Sequence, residues 1–133
     1  MDQAKKATLA HGIKAVLKKY GMKGSIGVRH YSTLVCNISS GPLDVIGNMY
    51  EIAVAKPGSH YERNPGKPTH IQVNEHWIAD NYTGRVLTFL TELKDAMDVG
   101  NHDRSDIQSD HFDVGWYIDL NIGKWDKPFV LTA

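Results

Sequence analysis

Residues 112–122 alternate without a break. Phe112, Val114, Trp116, Ile118, Leu120 and Ile122 are separated by Asp113, Gly115, Tyr117, Asp119 and Asn121. Period two is the pattern of a half-buried strand, and six consecutive matches are hard to obtain by chance. A strand of this kind has one oily face that must be covered and one polar face that must not be. It therefore predicts a sheet with helices packed on one side and solvent or a partner on the other.

The rest of the chain supplies those helices. In residues 3–20, Leu9, Ile13, Val16, Leu17 and Tyr20 form one apolar stripe, and Gly21 offers the left-handed stop that follows many helices. Residues 25–31 and 33–39 alternate as short strands, joined most economically by a hairpin around Tyr31-Ser32. Ser39-Ser40-Gly41-Pro42 reads as a helix start, with a helix over residues 43–55 whose Val45, Ile46, Met49, Tyr50 and Ala53 share a side. Residues 56–69, rich in Pro and Gly, form a loop longer than most connections, and such loops tend to be functional or mobile. Residues 69–73 suit a short strand, residues 76–81 have no clear period, and residues 82–99 repeat as a helix through Val86, Leu90, Leu93 and Met97. Residues 101–110 are polar and turn-like, and residues 123–133 leave the sheet carrying Trp125 and Phe129. The expected architecture is a single α+β domain over residues 1–133. Its order is α-β-β-α-(β)-α-β, with a small, mainly antiparallel sheet of three or four strands and helices on one face.

Charge and cysteine content narrow the function. Fifteen Lys and Arg balance fifteen Asp and Glu, so the chain lacks both the basic excess usual in nucleic-acid binders and the acidic excess of a DNA mimic. The single cysteine, Cys36, rules out an intramolecular disulfide. The first residues have no apolar stretch of signal-peptide length, and no run approaches the ~18 apolar residues of a membrane span. The expectation is a cytoplasmic protein without membrane contact. Near-zero net charge and exposed sheet edges favour a homodimer.

No motif assembles a complete catalytic or cofactor site. Asn101-His102-Asp103-Arg104-Ser105-Asp106 opens like a calcium loop, but its sixth position is Asp106 where glycine is needed, and its twelfth is Phe112 where a bidentate glutamate is needed. The same stretch gathers Asp103, Asp106, Asp110, Asp113, His102 and His111, which could give part of a metal-dependent phosphoryl-transfer site with Asp119 or Glu75. His60, His70 and His76 lack zinc-ligand spacing. Thr69-His70-Ile71-Gln72-Val73 resembles half of a paired-histidine phosphoesterase motif, with Gln72 in place of the hydroxyl and no second copy. Cys36 alternates with Leu34 and Ile38 as a core residue does, and Gly66-Lys67-Pro68-Thr69 lacks the upstream glycine of a phosphate loop. Arg29, His30, Tyr31, Tyr117 and Trp125 could form a basic–aromatic surface for single-stranded nucleic acid, or ordinary cross-strand pairs.

Three stretches carry a family likeness: Gly24-Ser25-Ile26-Gly27-Val28-Arg29, Leu34-Val35-Cys36-Asn37-Ile38 and Ser40-Gly41-Pro42-Leu43-Asp44. With the helix before them, they resemble the large-polyvalent-protein-associated domains of phages and mobile elements, and short stand-alone phage proteins of the same pattern. The likeness is best over residues 7–50. A second stretch, Ser105 to Asp113, is similar to a segment of those stand-alone proteins. It implies a phage or mobile-element origin and expression in the bacterial host cytoplasm. Related domains accompany proteins that protect incoming DNA from host defences. It brings no catalytic residue and no cofactor. The expected function is that of a non-enzymatic accessory protein binding a bacterial host or defence-system protein, with a nucleic-acid-binding module and a metal-dependent enzyme as alternatives. The expected contact residues are Arg29, Asn37, Tyr117, Asp119 and Asn121 on the outer sheet face, Tyr61 and Arg63 in the long loop, and Trp125 in the tail, since interfaces favour Tyr, Trp and Arg as anchors.

Overall fold

The stripe Leu9, Ile13, Leu17 and Tyr20 is buried along helix α1 (Gln3–Tyr20) in the computed structural model, which describes residues 3–63, 66–99 and 116–132. Gly21, at φ 70°, ends the helix. Its N–H bonds to Lys18 O at 3.2 Å and that of Met22 to Leu17 O at 2.9 Å, the paired closure that satisfies the last carbonyls of a helix. The chain continues as β1 (Lys23–Arg29), β2 (Thr33–Gly41), α2 (Val45–Val54), α3 (His60–Arg63), β3 (Ile71–Val73), α4 (Ile78–Asn81), α5 (Gly84–Met97), β4 (Tyr117–Ile122) and β5 (Val130–Leu131).

The strands run in the order β1-β2-β4-β3, with β5 also on β2. The α+β class and the helix-covered sheet are as expected, but the sheet is mixed and has five strands. β1–β2 and β3–β4 are antiparallel, whereas the central β2–β4 pair and the short β2–β5 pair are parallel. A parallel neighbour needs a long crossover connection, and the chain from α2 to α5 provides it. The tail does not leave the sheet. After Ile122 it makes an excursion and returns beside β2, where Ser40 pairs with Val130 and Gly41 with Leu131.

Two local boundaries also move. Residues 39–41 do not begin a helix, because β1 and β5 hold them in the ladder. α2 begins after Asp44, whose carboxylate accepts the Gly47 N–H at 2.9 Å. The long loop contains the single turn α3, and the unassigned stretch after β3 contains α4. β4 begins at Tyr117. The earlier part of the alternating run, like the Asp/His segment 102–113, lies outside the described residues.

The core lies between the helices and one face of the sheet. Leu34, Cys36 and Ile38 of β2 sit beside Ile118, Leu120 and Ile122 of β4 in register. Ile13 of α1, Val45 of α2 and Phe89, Leu90, Leu93 and Met97 of α5 join them with 0% exposure. Burying side chains of this size stabilises by about 1.5–3 kcal/mol each before entropy is charged against it. Phe89 also meets the Tyr20 ring edge-on at 5.1 Å, binding α5 to α1. On the opposite face of the sheet Arg29, Val35, Asn37, Gln72, Tyr117 and Asn121 are half-buried or exposed.

Candidate binding face

Period two assigns that opposite face. Arg29 and Ser25 of β1, Val35 and Asn37 of β2, Tyr117, Asp119 and Asn121 of β4, and Gln72 of β3 all project from it. Asp119 lies at its centre and is only 4% exposed. Arg29 reaches over β2 to place Nη1 at 2.7 Å from Asp119 Oδ2, and Gln72 Nε2 donates to Asp119 Oδ1 at 2.7 Å from β3. One carboxylate thus draws donors from strands on both sides. Beside it, Asn121 Nδ2 donates to Asn37 Oδ1 at 3.0 Å, linking paired positions of the parallel strands. A buried carboxylate needs such partners, and charge-assisted bonds are the strong ones.

Aromatic side chains flank this polar patch. Tyr117 is 62% exposed. Its N–H bonds to Ser32 O at 2.8 Å, which sets it next to the β1–β2 turn. That turn is closed by Ser32 N–H to Arg29 O at 3.3 Å and has both central residues at positive φ, His30 at 53° and Tyr31 at 59°. Hairpins favour this turn type but normally fill it with Asn and Gly, so a histidine and a tyrosine hold it under strain. Tyr31, 87% exposed, projects from its tip. At the far end of the sheet Trp125 is 81% exposed on the excursion between β4 and β5.

Five of the residues expected to make contact (Arg29, Asn37, Tyr117, Asp119 and Asn121) therefore come together, and Trp125 stands at their rim. Tyr61 and Arg63 do not join them. They belong to α3, where the Tyr61 ring meets Tyr50 of α2 edge-on at 5.5 Å. Tyr61 lines a separate shallow groove of about 720 Å³ along the β3 edge, with Met49, His60, His70 and Tyr82. Gln72 is the member that sequence reasoning missed. Its signal was its place between Ile71 and Val73, which pair with core positions of β4 and so turn Gln72 outward.

Burial pushes the Cys36 thiol up to about 12, so it stays protonated within the core. Burial, with a smaller effect from Tyr61, pushes the Tyr82 phenol up to about 12. Among the described residues, no three His, Cys, Asp or Glu side chains come together as a metal ion would require. No described helix is long and apolar enough to cross a membrane. Compared with protein-family models, curated proteins and solved structures, the chain matches none.

Proposed function

We propose that this chain is a non-enzymatic phage accessory protein that binds a bacterial host or anti-phage-defence protein through the outer face of its sheet. The arrangement of Arg29, Gln72 and Asp119 carries this reading. These groups satisfy one another, which fixes the polar centre of the face before any partner arrives. A face already ordered loses less entropy on association. Exposed Tyr117 and Tyr31 stand beside it as anchors of the kind that dominate protein interfaces. The resemblance of the β1–β2 segment to phage and mobile-element domains supports a partner in the bacterial cytoplasm.

The test is affinity capture from bacterial lysate with three forms of the chain: wild type, Tyr117→Ala with Asn37→Lys, and Arg63→Ala. The expected result is one protein retained in stoichiometric amount by wild type and by Arg63→Ala, and lost with the face variant. An identical catch with all three forms would overturn the assigned face. No stoichiometric catch, together with cleavage of nucleic acid by the pure chain, would overturn the function.

A further inference from the structure

β4 ends at Ile122, and Gly123 turns the chain at φ 73°. A Cβ at this position would stand 2.6 Å from Phe129 N and 3.0 Å from Thr69 O, so the bend requires glycine. The turn launches a miniature hairpin. Lys124 N–H bonds to Lys127 O at 2.8 Å and Lys127 N–H to Lys124 O at 3.1 Å, with Trp125 and Asp126 at the tip. Directly opposed residues of an antiparallel pair project to the same side, with Cβ atoms about 4.5–5.5 Å apart, and like charges placed so repel.

The ion pairs of the described residues engage Lys19, Arg29, Lys67, His76 and Lys94, and none involves Lys124, Lys127 or the intervening Asp126. Both lysines line a concavity of about 280 Å³ at the rim of the outer face, with Ser25, Asn37 and Ser39 among its other walls and no acidic residue. Asn37 uses its carbonyl oxygen to accept from Asn121, which leaves its amide nitrogen as a donor. Two paired cations, the Ser25 hydroxyl and the Asn37 amide around an acid-free hollow make a setting for an oxyanion, while the Ser39 hydroxyl donates to Lys23 O at 3.2 Å. The indole at the hairpin tip, exposed to solvent, adds a flat apolar face of the kind on which nucleobases stack.

We propose that this concavity binds a nucleotide, its phosphate held between Lys124 and Lys127 and its base extending out of the hollow to Trp125, which follows Lys124 at the hairpin tip and lies outside the lining. The site shares Asn37 with the proposed partner face, but its two lysines lie outside that face, so the lysine variants test it separately. The phosphate could belong to a free nucleotide or to a single strand, and the two differ in the number of phosphates and bases engaged.

The experiment is a calorimetric titration of the full chain at low salt. The ligands are deoxyadenosine monophosphate, deoxyadenosine, inorganic phosphate and a short single-stranded oligodeoxyadenylate. The expected result is saturable binding of the monophosphate, with the nucleoside weaker by about tenfold or more. Lys124→Gln with Lys127→Gln should weaken the monophosphate by about tenfold or more, whereas Lys14→Gln with Lys18→Gln, removing the same charge from exposed positions on α1, should not. Trp125→Ala should weaken the nucleotide and leave inorganic phosphate unchanged. An oligonucleotide that binds more tightly than the monophosphate, and weakens steeply with salt, would assign the site to a strand. Equal affinities would assign it to a free nucleotide. The proposal is overturned if wild type binds neither nucleotide nor strand, or if the Lys124/Lys127 variant binds both as wild type does.

Discussion

Arg29 and Asp119, ninety positions apart in the chain, meet at 2.7 Å across the outer face of the sheet. The arginine is about half exposed and the carboxylate nearly buried. Removing the arginine leaves Asp119 with Gln72 as its remaining side-chain donor among the described residues. Arg29→Ala should therefore destabilise the fold by about 1–2 kcal/mol, below the cost of breaking a fully buried pair because solvent screens the arginine. Asp119→Asn, which keeps the shape and removes the charge, should cost less. Urea unfolding midpoints of the two variants test the order, and an Arg29→Ala midpoint equal to wild type would show that the pair adds nothing.

The exposed side of the α1–α5 contact has its own clamp. Glu92 accepts from Lys19 Nζ at 2.7 Å and from the Tyr20 hydroxyl, while Arg85 lies 4.8 Å from the centre of the Tyr20 ring. The Lys19 hydrogen bond, then that of Tyr20, holds the Glu92 carboxyl below its ordinary 4.5. A carboxyl depressed on folding contributes stability that is present above its unfolded value and lost as pH falls through its folded one. Glu92→Gln should therefore melt below wild type at neutral pH, and the gap should close as pH falls below 4.5. Melting curves of both proteins across that window decide it. A gap that stayed constant would place the effect in packing rather than charge.

Strain in the β1–β2 turn should trade against binding. A residue other than glycine in the left-handed region costs about 1–2 kcal/mol, and Tyr31 is held there at φ 59°. Tyr31→Gly should raise the thermal midpoint, corresponding to a gain of about 1 kcal/mol. The same change removes an exposed ring from the proposed interface, so the partner captured by wild type should bind more weakly. A variant neither more stable nor weaker in binding would show that the turn stores no strain for function.

Trp116 ties the start of β4 to the end of α5. Its Nε1–H donates to Met97 O at 2.9 Å, and the indole is 6% exposed. Trp116→Phe keeps an aromatic ring but leaves a carbonyl of the last helical turn without this donor, at a cost of about 1–3 kcal/mol. Trp116→Leu should cost more, because ring volume is lost as well. The ranking can be read from denaturant midpoints; a neutral Trp116→Phe would mean that water takes over the bond.

Local pattern carried much of this fold. The stripe in α1 and the stop at Gly21 were legible because helix periodicity and the positive φ of glycine are properties of neighbouring residues. The alternation of β4 was legible for the same reason, and it correctly turned Tyr117, Asp119 and Asn121 away from Leu120 and Ile122. Phe89 escaped the sequence stripe of α5 although it is fully buried, since that helix is covered from more than one side, by α1 as well as the sheet. Residues 39–41 looked like a helix start because Ser-Gly-Pro chemistry suits one, but two neighbouring strands compete for the same backbone groups.

What the sequence determined by itself was which residues face in and which face out along α1, β2 and β4, because that depends on spacing of 2.0 or 3.6 residues. Tertiary structure decided the neighbours. It set β2 parallel to β4, brought the tail back as β5, and joined Arg29, Gln72 and Asp119 from three strands. It also opposed Lys124 to Lys127 across the hairpin tip at Trp125-Asp126. These contacts depend on strand order and direction, which arise from how the whole chain closes over one core and leave no periodic trace in any single segment.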